Sequence, residues 1–311
     1  MREREVLARL RRMATVPEAR GLLDDVALLD GLVITHDSIA EGIHYLPFDP
    51  PASVGWKLVA VNLSDLAAKG AQPRAALLSL TLTGDGDWED GFLDGVEAAC
   101  ETYGLPLIGG DTIALAKDAP RVLGMTAIGT APAHVPARSD GTAGDALWLV
   151  GTLGDAAAGL ALLQADREAV GPLVEAYRRP RPLLAAGQAL APHATAMMDV
   201  SDGLLLDALR LAEASGCAAT IALDALPLSG PFIAEHGEGF EGRMFAASAG
   251  DDYALLAALP ADCEPASLGL PKGSIVARIG ALSAGPPEIA ATFAGQAVTP
   301  PARLGFEHGG R

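Results

Sequence analysis

Two segments of this chain share one design, and that design limits what the chain can build. An apolar run from Leu58 to Leu63 delivers Ser64-Asp65 directly into an alanine-rich helical pattern, Leu66-Ala67-Ala68. Far downstream, Ala196-Met197-Met198 leads into Asp199-Val200-Ser201-Asp202-Gly203 and then an apolar helix. Read as strand-to-helix junctions, both present a hydroxyl and carboxylates where a helix offers free backbone N–H groups. That points to a site for metal ions and phosphate. The same residue types also cap helices, so each junction alone has a second, purely structural reading.

Around these junctions the pattern predicts a helix over 3–13, strands at 26–29 and 31–35, a helix at 53–61 and a strand at 77–83. It continues with a helix at 88–103, a strand that starts at Pro106 and stops at Gly109-Gly110-Asp111, and a strand at 122–129. Residues 131–144, rich in proline, glycine and short polar residues, read as a linker. Beyond it lie a strand at 146–150, a helix to Leu163, a proline break at 178–182 and a helix closed by Gly216. Strands at 219–223 and 253–257 follow, then short strands and turns. Helices and strands mix without strict alternation. The expected fold class is therefore α+β, in two domains, 1–140 and 141–311, each with a mixed sheet packed by helices.

Composition removes several function classes. With a net charge of −17 and a pI near 4.6, the surface repels a nucleic-acid backbone. Mean hydropathy is positive, at +0.28, which raises the question of a membrane protein. Yet Ala146–Leu163 is broken by Gly151, Gly154 and Asp155, and no uncharged run approaches the roughly 20 residues a spanning helix needs. The N-terminus mixes charges and has no signal-peptide pattern. Cys100, Cys217 and Cys263 match no zinc or redox spacing. A protein of the reducing cytoplasm is expected, with no nucleic-acid or membrane partner.

The acidic residues carry the chemistry. Asp24-Asp25, Asp37, Asp65, Asp111, Asp199 with Asp202, and Asp251-Asp252 follow or flank apolar strand-like runs. If those runs share a sheet, their carboxylates converge and repel one another, and divalent cations relieve the repulsion. An oxygen-only donor set favours Mg²⁺. In Thr35-His36-Asp37, an extended strand turns Thr35 and Asp37 to one face, with His36 facing away and only its carbonyl available. There is no Gly-Lys pair, hence no P-loop. Backbone donors for phosphate would come from Gly109-Gly110 and from helix N-termini after Ser64 and Ser201.

In order along the chain stand Asp24-Asp25, Thr35-x-Asp37, Glu41-Gly42-x-His44, the block from Val61 to Ala71, Gly109-Gly110-Asp111-Thr112, Arg138-Ser139 and Asp199-x-Ser201-Asp202-Gly203. This series resembles the thiamine-monophosphate kinase family, related to aminoimidazole ribonucleotide synthase, selenophosphate synthetase and a hydrogenase-maturation protein. The resemblance is strong from about residue 20 to 260. It implies an ATP-binding fold and transfer of the γ-phosphoryl group of ATP to thiamine monophosphate, giving thiamine diphosphate. It implies several Mg²⁺ ions held by Asp25, Thr35, Asp37, Asp65, Asp111, Asp199 and Asp202, with a contribution from His36. ATP contacts map to Gly110, Asp111, Arg138 and Ser201, and substrate contacts to His44, Asp251 and Phe306. It further implies a homodimer, with the dimer interface and the metal-binding aspartates in the N-terminal domain.

The chemistry agrees with that implication. A phosphate acceptor is already anionic, so no general base is needed, and the barrier is repulsion between two anions. Metal-assisted catalysis through Asp65, Asp111 and Asp202 answers it. Three departures stand out: Gly21-Leu22-Leu23-Asp24-Asp25 lacks a glycine directly before the acidic pair, His36 replaces a small or hydroxyl residue, and Asp251 stands for the usual glutamate. A selenophosphate synthetase would need a reactive cysteine near the N-terminus, and none precedes Cys100.

Overall fold

The computed structural model describes residues 3–116 and 119–307. The first part comprises α1 (Glu3–Arg11), β1 (Ala27–Leu29), β2 (Leu32–Ala40), α2 (Pro51–Ala68), β3 (Gln72–Leu82), α3 (Gly86–Tyr103), β4 (Leu107–Ala114) and β5 (Val122–Thr130). Its five strands are ordered β1-β2-β5-β3-β4, with only β3 and β4 parallel. The second part comprises β6 (Ala146–Val150), α4 (Asp155–Ala165), α5 (Pro172–Arg178), α6 (Leu184–Leu190), β7 (Ala196–Val200), α7 (Leu204–Ser215) and β8 (Ala218–Ala222). Then come α8 (Gly230–His236), α9 (Phe240–Ser248), β9 (Ala254–Leu259), β10 (Val276–Ser283), β11 (Ile289–Phe293) and β12 (Gln296–Val298). Its seven strands run β12-β11-β8-β10-β6-β9-β7, with β8 and β11 parallel. The fold is a two-domain α+β fold with a mixed sheet in each part.

Helix α2 joins the two parts. From Ser53 to Ala68 every residue except Trp56 is buried, so the helix has no solvent face. Val54, Leu58, Val61 and Leu66 pack with Val33, Leu123 and Met125 of the first sheet and Phe92 of α3. Ala67 and Ala68 pack instead with Val150, Met197 and Leu255 of the second sheet and with Leu190 of α6. Glycines permit this crowding: a Cβ on Gly95 of α3 would lie 2.0 Å from the Ala52 carbonyl oxygen, and one on Gly187 of α6 would lie 1.9 Å from that of Ala67.

Two expectations need correction. Leu58–Leu63 is not a strand delivering Ser64-Asp65 to a helix; it is the interior of α2, and Ser64 and Asp65 sit close to the helix's C-terminal end. The helix expected at 53–61 therefore runs on to Ala68; buried on all sides, it lacks the 3.6-residue periodicity that would carry the reading onward, and Val59 and Val61 mimic a strand. The strand predicted to stop at Gly109-Gly110-Asp111 continues through them to Ala114. The downstream junction is as expected, with β7 ending at Val200 and α7 starting at Leu204. Among the described residues no helix is long and apolar enough to cross a membrane.

Candidate functional site

A cavity of about 860 Å³ opens where the two sheets meet. Asp25, Asp37, Asp65 and Arg138 line it from the first part and Asp199, Ser201 and Asp202 from the second. Helix α2 explains the convergence, because it carries Asp65 beneath β2 and Ser64 beside β7. The Thr35 hydroxyl donates to Asp65 Oδ2. The Ser64 hydroxyl donates to Asp199 Oδ2 at 2.6 Å. Asn62 accepts the backbone N–H of Asp37 at 2.9 Å and anchors its own amide on the Leu58 carbonyl. Asp25, Asp65 and Asp199 offer oxygens that all lie within 4.8 Å of one another.

These carboxylates divide electrostatically. Burial, reinforced by repulsion from Asp37, Asp199 and Asp25, lifts Asp65 well above the ordinary carboxylate range. Burial and the neighbouring Asp25 push Asp199 up to about 8, and burial with the Asp25 charge raises Asp37 as well. For Asp25, burial alone would act the same way, but Arg138 and Lys69 outweigh it and hold the carboxyl below its usual value. Arg138 donates to Asp25 Oδ1, and Lys69 lies 2.8 Å from Oδ2. The concentrated negative charge and all-oxygen donor set match a hard divalent cation.

The loop after β7 is pinned from below. The backbone N–H groups of Ser201 and Asp202 both donate to Asp207 Oδ2, at 3.1 and 3.0 Å. Arg210 pairs with Asp202 and, at 2.9 Å, with Asp207. Two of the backbone donors expected to serve phosphate are thus already engaged. The helix N-terminus expected after Ser64 does not exist, because Ser64 is inside α2.

The cavity wall also carries His44, Tyr177, Asp251 and Phe306. Buried Lys57 contacts Asp251 Oδ2 at 2.7 Å, donates to the His44 carbonyl at 3.0 Å, and lies 4.1 Å from the centre of the Tyr177 ring. Tyr253 donates its hydroxyl proton to Asp251 Oδ1 at 2.9 Å. His44 Nδ1 accepts the Ala40 backbone N–H at 3.0 Å, which leaves Nε2 as the protonated nitrogen of the neutral ring. The Phe306 backbone N–H donates to the Asp202 carbonyl at 2.8 Å.

Three candidates lie elsewhere. The His36 ring points to the opposite face of β2, exposed, with Nδ1 2.9 Å from Thr126 Oγ1. Gly110 and Asp111 stand on β4, the edge strand, exposed along its whole length, and neither lines the cavity. Asp111 shares a cross-strand row with Ser79, Gly124 and Ser38, so at about 4.8 Å per strand it lies roughly 14 Å from Ser38, the row's member at the cavity. Conversely, Lys57, Lys69, Asp207 and Arg210 were not picked out from sequence. The signal for the first two was a lone lysine in an otherwise apolar helical run, a placement that requires a buried partner.

The class defined here is a two-domain α+β protein with aspartates from both domains gathered at one cavity. The family model for AIR synthase related protein, N-terminal domain, matches residues 23–131, and that for its C-terminal domain matches residues 142–282. The chain is 38% identical over 252 residues to the thiamine-monophosphate kinase of Salmonella typhimurium, spanning 77% of this chain and 76% of the relative. It is 35% identical to that of Caulobacter vibrioides over 97% of this chain and 90% of the relative. The solved structure of AaThiL complexed with AMPPCP and TMP superposes with a TM-score of 0.84 at 29% identity, covering 99% of this chain and 97% of that one. The thiamine-monophosphate kinase structure from Stenotrophomonas maltophilia superposes at 0.77 and 34% identity, over 93% and 95% of the two chains. The chain belongs to the AIR synthase-related family, in its thiamine-monophosphate kinase branch.

Proposed function

We propose that this chain is a thiamine-monophosphate kinase, moving the γ-phosphoryl group of ATP onto thiamine monophosphate to give ADP and thiamine diphosphate. The observation that carries the reading is the convergence of Asp25, Asp65 and Asp199 oxygens within 4.8 Å on a cavity whose other wall presents His44, Asp251 and Phe306. Support comes from the kinase relatives and from the neighbour that holds AMPPCP, an ATP analogue, together with TMP.

Mg²⁺ fits the site by donor chemistry. Asp25, Asp37, Asp65, Asp199 and Asp202 would hold the ions, with the Thr35 hydroxyl beside Asp65. When bound, the ions neutralise the two phosphates so that one anion can approach the other. Arg138, fixed on Asp25, offers its remaining guanidinium donors to an ATP phosphate, and Ser201 offers its hydroxyl. His44, on the cavity wall, would contact the acceptor. Phe306, 38% exposed at the cavity with the Arg303 guanidinium 5.8 Å from its ring centre, would offer its ring to the thiazolium cation, a contact of about 0.5–2 kcal/mol. Lys57 and Tyr253 hold Asp251 in a fixed direction, which sets where the shorter acid can meet the substrate.

The enzyme would act in the cytoplasm, as a homodimer of chains whose domains divide near residue 140. The outer face of the first sheet supports the dimer: Leu77, Leu107, Ile113 and Val122 are 38–51% exposed there, an apolar patch suited to a second copy. The same contact would bring Gly110 and Asp111 into an enclosed setting. The test is ADP release from Mg²⁺-ATP with thiamine monophosphate, free thiamine, formylglycinamidine ribonucleotide or selenide as acceptor. Turnover with thiamine monophosphate alone supports the reading. Turnover only with another acceptor moves the chain to a sister activity, and binding without turnover makes it a regulator.

A further inference from the structure

Lys69 immediately follows the last residue of α2, and its side chain is entirely buried. Its ammonium has three protons, and three acceptors surround it: the Met197 carbonyl oxygen at 2.7 Å, Asp24 Oδ1 at 2.6 Å and Asp25 Oδ2 at 2.8 Å. The acceptors come from two segments far apart in sequence, the loop before β1 and strand β7. With α2 itself, three parts of the chain meet on one nitrogen. A dehydrated ammonium is tolerated only when its charge and every donor are matched. Here the Met197 carbonyl takes a hydrogen bond and the two carboxylates balance the charge, Asp25 Oδ2 having no hydrogen-bond partner of its own among the described residues.

The two carboxylates are each held from a second side. Arg20 pairs with Asp24 Oδ2 and Arg138 with Asp25 Oδ1. Asp25 is also one of the three carboxylates whose oxygens gather within 4.8 Å. Water has no access to Lys69, so a hydrated cation from solvent cannot take over its task without the packing opening. We infer that Lys69 is a built-in cation of the acidic cluster, a positioning residue that ties Asp24-Asp25 to α2 and β7 and sets Asp25 in place before any metal ion arrives. Such a residue would let the site hold its shape when metal and nucleotide are both absent.

The inference predicts a stranded-charge signature, distinct from lost packing. Lys69→Met keeps an unbranched side chain one atom shorter and removes the ammonium, with its charge and its hydrogen bond to the Met197 carbonyl. In EDTA its melting temperature should fall by roughly 8 °C, the scale of breaking a buried ion pair in a chain of this size. Half or more of that loss should return when Asp24→Asn is added to Lys69→Met, because one unpaired carboxylate is gone. Saturating Mg²⁺ should likewise restore part of it in the single variant, by neutralising Asp25. The Mg²⁺ arm rests on the reading of Asp25 as a metal ligand; the Asp24→Asn arm is read in EDTA and stands or falls without it. A single variant within about 2 °C of the parent in EDTA overturns the inference. So does an equal loss in the single and double variants. If Lys69→Met does not fold, folding of the double variant supports the inference and its failure overturns it.

Discussion

The Ser64 hydroxyl on α2 donates a 2.6 Å hydrogen bond to Asp199 Oδ2 on β7, joining the two sheets at the centre of the acidic cluster. Both groups are buried. The bond favours the ionised form of Asp199 against burial, which pushes that carboxyl up to about 8. Ser64→Ala removes that bond and leaves a carboxylate oxygen short of a donor. Turnover should fall about tenfold and stability by about 1–3 kcal/mol, measured as kcat under saturating substrates and by chemical denaturation.

Asp65 should separate activity from stability. Its carboxyl is raised by burial and by three neighbouring aspartates, so in metal-free protein it is an electrostatic burden. Asp65→Asn should cut kcat by at least about a hundredfold, as expected for loss of preorganised charge at the reacting phosphates, while the melting temperature in EDTA stays level or rises. Near-normal turnover would remove Asp65 from the metal site.

Lys57 should act on one substrate only. It grips Asp251 and the carbonyl of His44, both on the wall assigned to thiamine monophosphate. Lys57→Met should raise KM for thiamine monophosphate about tenfold, the effect of about 1.4 kcal/mol of lost binding, with KM for ATP little changed. A parallel rise in both would place Lys57 in general support of the fold.

Gly187 tests the close packing of α6 on α2. A Cβ there would lie 1.9 Å from the Ala67 carbonyl oxygen, a backbone atom that cannot rotate aside. Gly187→Ala should destabilise the protein by about 1–3 kcal/mol, seen as a lower denaturation midpoint. Gly230→Ala, where nothing lies within 4 Å of the added methyl, is the control and should leave the midpoint nearly unchanged.

Much of the site was legible because its acids fall at the ends of apolar segments. Asp25, Asp37, Asp199 and Asp202, picked out on that ground, line the cavity, and His36 turns outward as the alternation of β2 requires. Asp65 reached the cluster by another route than expected: the apolar run before it is a helix buried on every side, which carries no periodic signature. Asp111 could not be located by pattern, since its distance from the cavity depends on strand order, with β5 and β3 lying between β2 and β4. Lys57 and Lys69 escaped because their partners, Asp251 at one end of the chain and Asp24-Asp25 at the other, become neighbours only when α2 is packed between the two sheets.

The central claim is direct transfer from ATP to the phosphate of thiamine monophosphate, and a label tests it most directly. ATP carrying a radioactive γ-phosphoryl group should pass that label into thiamine diphosphate, one label per ADP formed, and the transfer should disappear in EDTA. Label released only as inorganic phosphate, or thiamine diphosphate formed without label, would contradict the account.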